Sequence, residues 1–124
     1  MDSALSVLIV EDDLAILKLM EITLKKVCNV ISATNGRVAI EKITLNKPDL
    51  IISDNMMPEM SGFELKEYLN NNSDTKDIPF IFLTSIGDTI TKEKAASLGA
   101  TEYIVKPISP NLMREKVSLF LKSK

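Results

Sequence analysis

The chain has 124 residues, of which 45% are hydrophobic, and this suits one compact domain over residues 1–124 with no room for a second. With 15 basic and 17 acidic residues, the net charge is -2, which argues against an extended nucleic-acid surface. No apolar run approaches about 18 residues and no basic leader is visible, so we expect neither a membrane span nor an export signal. The single cysteine, Cys28, excludes an internal disulfide and favours a reducing, cytoplasmic location.

Five short apolar runs alternate with segments of helical periodicity. In chain order, strands are predicted over residues 5–10, 29–33, 50–53, 79–83 and 101–105. Helices are predicted over residues 14–27, 36–46, 63–70, 89–98 and 109–121. Pro48 prevents the second helix from continuing, and Gly99 suits the left-handed residue that often follows a helix.

The alternation of strands and helices determines the predicted architecture. Units of this length imply parallel βαβ connections with right-handed crossovers, which place helices on both faces of one sheet. The predicted fold class is therefore α/β: a (βα)5 three-layer sandwich with a five-stranded parallel sheet. In an open sheet of this kind, ligands bind at the edge where the strands end.

Polar side chains that can bind ligands or take part in a reaction follow four of the five predicted strands. In chain order, they are Glu11, Asp12, Asp54, Thr84 and Lys106. Because parallel strands end at one edge, we expect these side chains to meet there. Three unpaired carboxylates are costly to bury together, and a hard divalent cation bound by their oxygen atoms removes that cost. Mg²⁺ suits such an all-oxygen site. The alternative for Glu11 and Asp12 is that they are solvated acids at a helix N-terminus.

The segment after the third strand carries the most specific motif. From Asp54 to Gly62 it reads Asp-Asn-Met-Met-Pro-Glu-Met-Ser-Gly. This segment resembles the receiver domains of two-component response regulators, in which a phosphoacceptor Asp is followed by two residues, Met-Pro, two more residues, a small residue and Gly. The acidic pair, the hydroxyl of Thr84 and the dipeptide Lys106-Pro107 extend the resemblance over nearly the whole chain.

The resemblance implies a flavodoxin-like fold and a phosphorylatable switch, not an enzyme acting on a diffusible substrate. Asp54 would take a phosphoryl group from a phosphohistidine on a sensor histidine kinase or a histidine phosphotransfer protein. Asp12 would ligate Mg²⁺ directly and Glu11 directly or through water, with Asp54 and the backbone carbonyl of Met56 completing the protein ligands. Lys106 would add positive charge beside the phosphoryl oxygens.

The resemblance also implies how the switch is transmitted. Thr84 would donate its hydroxyl to a phosphoryl oxygen and move toward phosphorylated Asp54. Tyr103 matches an aromatic that turns inward in relatives, and the alternative is an exposed tyrosine at the sheet edge. The face made by the fourth helix, fifth strand and fifth helix would then bind an unknown downstream target or form a homodimer. The family also places a cis peptide bond between Lys106 and Pro107.

Two departures and one further expectation concern residues beside the motif positions. Ser85 stands where a small apolar residue is usual, and Ile108 stands where Phe often follows Lys-Pro. Met56 and Ile86 are apolar and would flank the path of an attacking water, so we predict slow self-dephosphorylation. The alternative is that Met56 and Ile86 simply pack locally.

Three other classes of protein fit the sequence less well. A haloacid-dehalogenase-type phosphatase needs an acid two residues after its nucleophile, where this chain has Met56. A flavodoxin-like nucleotide binder needs a phosphate-cradling loop after the first strand, where this chain has three acids. A degenerate receiver would lack the Asp, the Lys or the acidic pair. Because the chain contains no histidine, any phosphodonor histidine must lie on another molecule.

Overall fold

Five strands alternate with five helices in the computed structural model, which describes residues 5–122. The strands are β1 (Ser6–Val10), β2 (Asn29–Ala33), β3 (Leu50–Ser53), β4 (Phe80–Thr84) and β5 (Glu102–Val105). The helices are α1 (Leu14–Leu24), α2 (Gly36–Leu45), α3 (Gly62–Asn70), α4 (Thr89–Ser97) and α5 (Pro110–Lys122). The predicted (βα)5 order is confirmed.

The five strands form one parallel sheet in the order β2-β1-β3-β4-β5. The chain passes from β1 outward to β2 and then returns past β1 to β3, so the direction of winding reverses between β1 and β3. A crevice opens at such a reversal point, outside the carboxyl ends of the strands. Val10 pairs with Ser53 in register, which brings the residues after β1 and β3 to the same level of this crevice.

Alternating side chains of the strands feed two hydrophobic cores on opposite faces of the sheet. One core packs Val7, Ile9 and Ile52 against α1 and α5. The other packs Leu8 and Phe82 against α2, α3 and α4. The helices therefore form the two outer layers of the predicted sandwich, and the central strands are buried on both faces.

Side-chain caps fix the starts of all five helices, and at α5 the hydroxyl of Ser109 accepts a hydrogen bond from the backbone N–H of Leu112 at 3.1 Å. Asp13, Asn35 and Asp88 each accept a hydrogen bond from a backbone N–H in the first turn of α1, α2 and α4. Ser61 begins α3 with a capping box, in which the Ser61 side chain and the Glu64 side chain bond each other's backbone N–H groups. These caps place each helix start close to its predicted position.

The predicted end of α1 is wrong by three residues. The helix ends at Leu24, whose carbonyl oxygen accepts hydrogen bonds from the N–H groups of both Val27 and Cys28. This turn redirects the chain into β2 and leaves Val27 40% exposed. Cys28 itself is buried, and burial raises the pKa of its thiol to about 11. Within residues 5–122, no helix has the length and apolar character needed to cross a bilayer.

Candidate functional site

Backbone hydrogen bonds between neighbouring strands place the acidic residues of the site. The N–H of Glu11 donates to Ala33 in β2 across 3.0 Å, and the N–H of Asp54 donates to Val10 in β1 across 3.0 Å. Glu11 and Asp54 therefore continue the sheet for one residue beyond their strands. Their side chains enter the crevice at the reversal point from adjacent strand ends.

The carboxylates of Glu11, Asp12 and Asp54 form one cluster. Each can contribute an oxygen such that all three oxygens lie within 4.8 Å of one another. Glu11 is 2% exposed, Asp12 is exposed and Asp54 is half-buried, so the cluster runs from the interior to solvent. Three anionic oxygens open to solvent on one side are the donor set that suits a partly hydrated Mg²⁺ ion. The chemistry of the residues therefore fits the predicted metal.

Lys106 joins the acidic cluster from β5. Its Nζ atom donates to Glu11 Oε1 at 2.8 Å and to Asp54 Oδ2 at 3.1 Å. Burial raises the pKa of Glu11, and the hydrogen bond from Lys106 offsets only part of that rise. Burial also lowers the pKa of Lys106, but its bonds to both carboxylates outweigh burial and raise that pKa overall. The ammonium is therefore held charged between two carboxylates.

The second oxygen of Asp54 faces the loop that follows it. Asp54 Oδ1 accepts hydrogen bonds from the backbone N–H of Asn55 at 2.6 Å and of Met56 at 3.4 Å. Lys106 and the loop thus hold opposite oxygens of one carboxylate, which fixes its orientation. The structure places Met56 beside Asp54, with its side chain 63% exposed.

Asn55 positions the loop after Asp54, a role that the sequence analysis did not predict. It is buried, its side-chain oxygen accepts from the N–H of Phe63 at 2.9 Å, and its backbone carbonyl accepts from Gly62 at 2.9 Å. A Cβ atom at Gly62 would lie 2.4 Å from the carbonyl oxygen of Asp54, so only glycine allows α3 to approach this closely. The signal available in the sequence was the short polar Asn before a Gly-initiated helix.

Thr84 lies at the end of β4, fully buried, and its hydroxyl has no hydrogen-bond partner among the described residues. A buried hydroxyl without a partner costs free energy, and the Thr84 hydroxyl is therefore free to donate to a group that enters the site.

The Lys106-Pro107 peptide bond is cis, as the family resemblance led us to expect.

Tyr103 is half-buried on β5 and is not the exposed edge residue of the alternative reading. Its hydroxyl donates to the backbone carbonyl of Ile86, in the loop between β4 and α4. Its ring centroid lies 6.2 Å from that of Phe82, its register partner on β4. Tyr103 therefore connects β5 to the loop that follows Thr84.

Comparisons with known proteins agree with this architecture. The chain matches the response regulator receiver domain family over residues 7–118. The chemotaxis protein CheY4 of Vibrio cholerae has a TM-score of 0.89 and 31% identity, with 95% of this chain and 99% of that chain covered. Protein PilG of Pseudomonas aeruginosa is 37% identical over 106 residues, which are 85% of this chain and 78% of PilG.

Other relatives are longer than this chain. The probable transcriptional regulator ycf27 of Cyanophora paradoxa is 32% identical over 117 residues, covering 94% of this chain but 48% of that protein. The chain thus spans about half, or less, of the length of several curated relatives. Receiver domains are signalling switches of two-component systems, with an acidic pocket for Mg²⁺ and with histidine kinases and output domains as partners. By its match over most of its length and by its structural neighbours, the chain belongs to the response regulator receiver domain family.

Proposed function

We propose that residues 1–124 form one receiver domain that accepts a phosphoryl group on Asp54. The observation that carries this proposal is the contact of Lys106 Nζ with both Glu11 and Asp54, because it holds a cation beside a carboxylate in an acidic cluster. Phosphoryl transfer needs positioning and neutralised charge more than covalent chemistry from the protein. A cytoplasmic setting is in keeping with the free, buried thiol of Cys28.

The proposed step is an in-line transfer from a phosphohistidine on a sensor histidine kinase or a histidine phosphotransfer protein. A carboxylate oxygen of Asp54 bonds to phosphorus as the phosphorus–nitrogen bond breaks, and the imidazole leaves with the electron pair. Lys106 and the amides of Asn55 and Met56 hold the carboxylate in one orientation for this step. The product is an acyl phosphate on Asp54.

The residues that would hold Mg²⁺ are Glu11, Asp12, Asp54 and the backbone carbonyl of Met56. When bound, Mg²⁺ supplies positive charge to the phosphoryl oxygens. Glu11 is the buried member of the set and Asp12 the exposed one, so the cluster opens toward solvent and water would reach an ion held there.

The proposed readout begins at Thr84. Its hydroxyl, which has no hydrogen-bond partner within residues 5–122, would donate to a phosphoryl oxygen on Asp54 and draw the end of β4 toward the site. Tyr103, bonded to Ile86 in the adjoining loop, would then rearrange with that loop. The surface of α4, β5 and α5 would change with it and bind a downstream target or output domain, or a second copy of the chain.

The experiment that tests the proposal is intact mass spectrometry after incubation with acetyl phosphate, with and without Mg²⁺. We expect one phosphoryl adduct that requires Mg²⁺, disappears in Asp54→Ala and persists in Asp74→Ala, a matched change of an exposed acid far from the site. An adduct that survives Asp54→Ala, or a parent protein that takes no phosphoryl group, would contradict the proposed function.

A further inference from the structure

The methionines of this domain differ sharply in exposure. Met20 and Met113 are 6% and 4% exposed, and Met57 and Met60 pack against the core on the α2–α3 side of the sheet. Met56 is 63% exposed. Oxidation of a thioether requires contact with the oxidant in solution, and Met56 is the most exposed of the described methionines.

Met56 also occupies a sensitive position. It lies two residues after Asp54, and its backbone N–H points to Asp54 Oδ1 at 3.4 Å. The loop around it is fixed by the bonds of Asn55 to Gly62 and Phe63. A change in the polarity of the Met56 side chain would therefore occur on a fixed backbone beside the phosphoacceptor.

We propose that Met56 is an oxidation site at which hydroperoxides shorten the life of the phosphorylated state. The inference rests on the proposed function of Asp54. In the step, the thioether sulfur of Met56 attacks one oxygen of hydrogen peroxide and a sulfur–oxygen bond forms. The oxygen–oxygen bond breaks, and the second oxygen takes the proton of the transferred oxygen and leaves as water. The sulfur is oxidised by two electrons and the peroxide is reduced.

The direction of the effect follows from the two side chains. The thioether sulfur of Met56 is a weak hydrogen-bond acceptor and binds water poorly, whereas a sulfoxide oxygen is a strong acceptor. A water bound to that oxygen is held near the acyl phosphate. We expect hydrolysis of the phosphate to quicken about threefold, far less than a positioned general base supplies.

The first arm of the test measures where oxygen is added. The folded protein is treated with dilute hydrogen peroxide, and fragment mass spectrometry resolves Met56, Met57 and Met60 within one peptide. We expect Met56 to be oxidised first, and the preference to vanish when the same treatment is made in denaturant. Equal oxidation of the three methionines in the folded protein would overturn the assignment, whatever Asp54 does.

The second arm measures the decay of the phosphorylated protein before and after peroxide, each variant compared with its own untreated rate. Parent and Met60→Leu should show the quickening, Met56→Leu should not, and methionine sulfoxide reductase should reverse it. Met56→Gln, a polar mimic, should decay faster than Met56→Leu without peroxide. If Met56 is oxidised and the phosphorylated protein decays at an unchanged rate, oxidation of Met56 does not affect hydrolysis of the phosphate and the proposal is wrong. A parent that never takes a phosphoryl group would overturn the proposed function as well, while the first arm still reports on the oxidation site.

Discussion

The backbone N–H of Lys106 donates to the backbone carbonyl oxygen of Thr84 across 2.9 Å. This bond extends the β4–β5 register by one step beyond the pairing of Thr84 with Val105. Lys106 therefore lies one residue beyond the level of Thr84, on the neighbouring strand. The backbone of Thr84 is thus bonded directly to the residue whose ammonium contacts Asp54.

Magnesium should stabilise the domain, and the effect should depend on Asp12. A ligand that binds only the folded state raises stability with the logarithm of its concentration above the dissociation constant. We expect added Mg²⁺ to raise the urea midpoint of the parent protein and of Asp13→Asn, which alters the adjacent capping acid. Asp12→Asn should lose most of the rise. An equal rise in both variants would contradict a site at the acidic cluster.

Replacing Thr84 should separate stability from signalling. Thr84→Val removes a buried hydroxyl that lacks a partner among the described residues, so we expect a gain of about 1 kcal/mol in the free energy of unfolding. Thr84→Ser keeps the hydroxyl and loses a buried methyl, so it should lose about 1 kcal/mol. Urea unfolding measures both changes.

The same two variants should differ in their response to phosphorylation. In a Tyr68→Phe background, Tyr103 is the remaining tyrosine and its fluorescence reports on the β4–α4 loop through its bond to Ile86. Phosphorylation should change this signal in Thr84→Ser and leave it unchanged in Thr84→Val. A parental response in Thr84→Val would rule out the proposed coupling.

Replacing Glu59 with glycine should stabilise the fold. Its φ is 67°, a left-handed conformation that costs about 1 kcal/mol for a residue with a Cβ atom. The ion pair of Glu59 with Arg37 is exposed and adds little. We therefore expect Glu59→Gly to raise the free energy of unfolding by about 0.5 kcal/mol. The gain is smaller than the strain because glycine increases the conformational entropy of the unfolded chain.

The matched control for this change lies in the next helix. Glu67 is exposed within α3, so Glu67→Gly should lower stability by about 1 kcal/mol. The same substitution is thus expected to act in opposite directions at two nearby positions. Thermal or urea unfolding that shows a loss in both variants would show that residue 59 is not strained.

Lys66 should make stability depend on pH. It is 3% exposed, and burial lowers its pKa, an effect that nearby Asp77 partly offsets. Because the folded protein then binds this proton less tightly than the unfolded chain, the contribution of Lys66 to stability rises with pH as the ordinary value of 10.5 is approached. The stability of Lys66→Met minus that of the parent should therefore fall as pH rises.

Urea midpoints of both proteins, taken from neutral pH upward, test this prediction. The titrations of Cys28 and Tyr103, whose pKa values are also raised, occur in both proteins and cancel in the difference. A difference that stays constant with pH would mean that the ammonium of Lys66 is as well solvated in the fold as in the unfolded chain.

The order of elements and the meeting of the site residues could be predicted because both depend on the hydrophobic pattern. Continuous apolar runs fixed the strands, and parallel strands necessarily bring Glu11, Asp54 and Lys106 to one edge. The end of α1 could not be predicted from periodicity, because the apolar Val27 continues the helical pattern while hydrogen bonds to Leu24 close the helix.

Other details depend on tertiary contacts that local sequence does not encode. Lys66 occupies an ordinary helix position, yet it is 3% exposed. Its Nζ donates to Asn70 at 2.7 Å, and Asn70 donates to the carbonyl of Leu98 at 2.9 Å. The buried role of Asn55 similarly depends on how closely α3 approaches β3. Neither arrangement has a periodic signal.

Helix α4 contributes a single buried side chain, Ala95, to the core, and Ile90 on the same helix is 79% exposed. Substitutions at most other positions of α4 should therefore leave folding nearly unaffected, since exposed sites rarely change stability by more than about 0.5 kcal/mol. The sequence of α4 can therefore change widely without disturbing the crevice that holds Asp54.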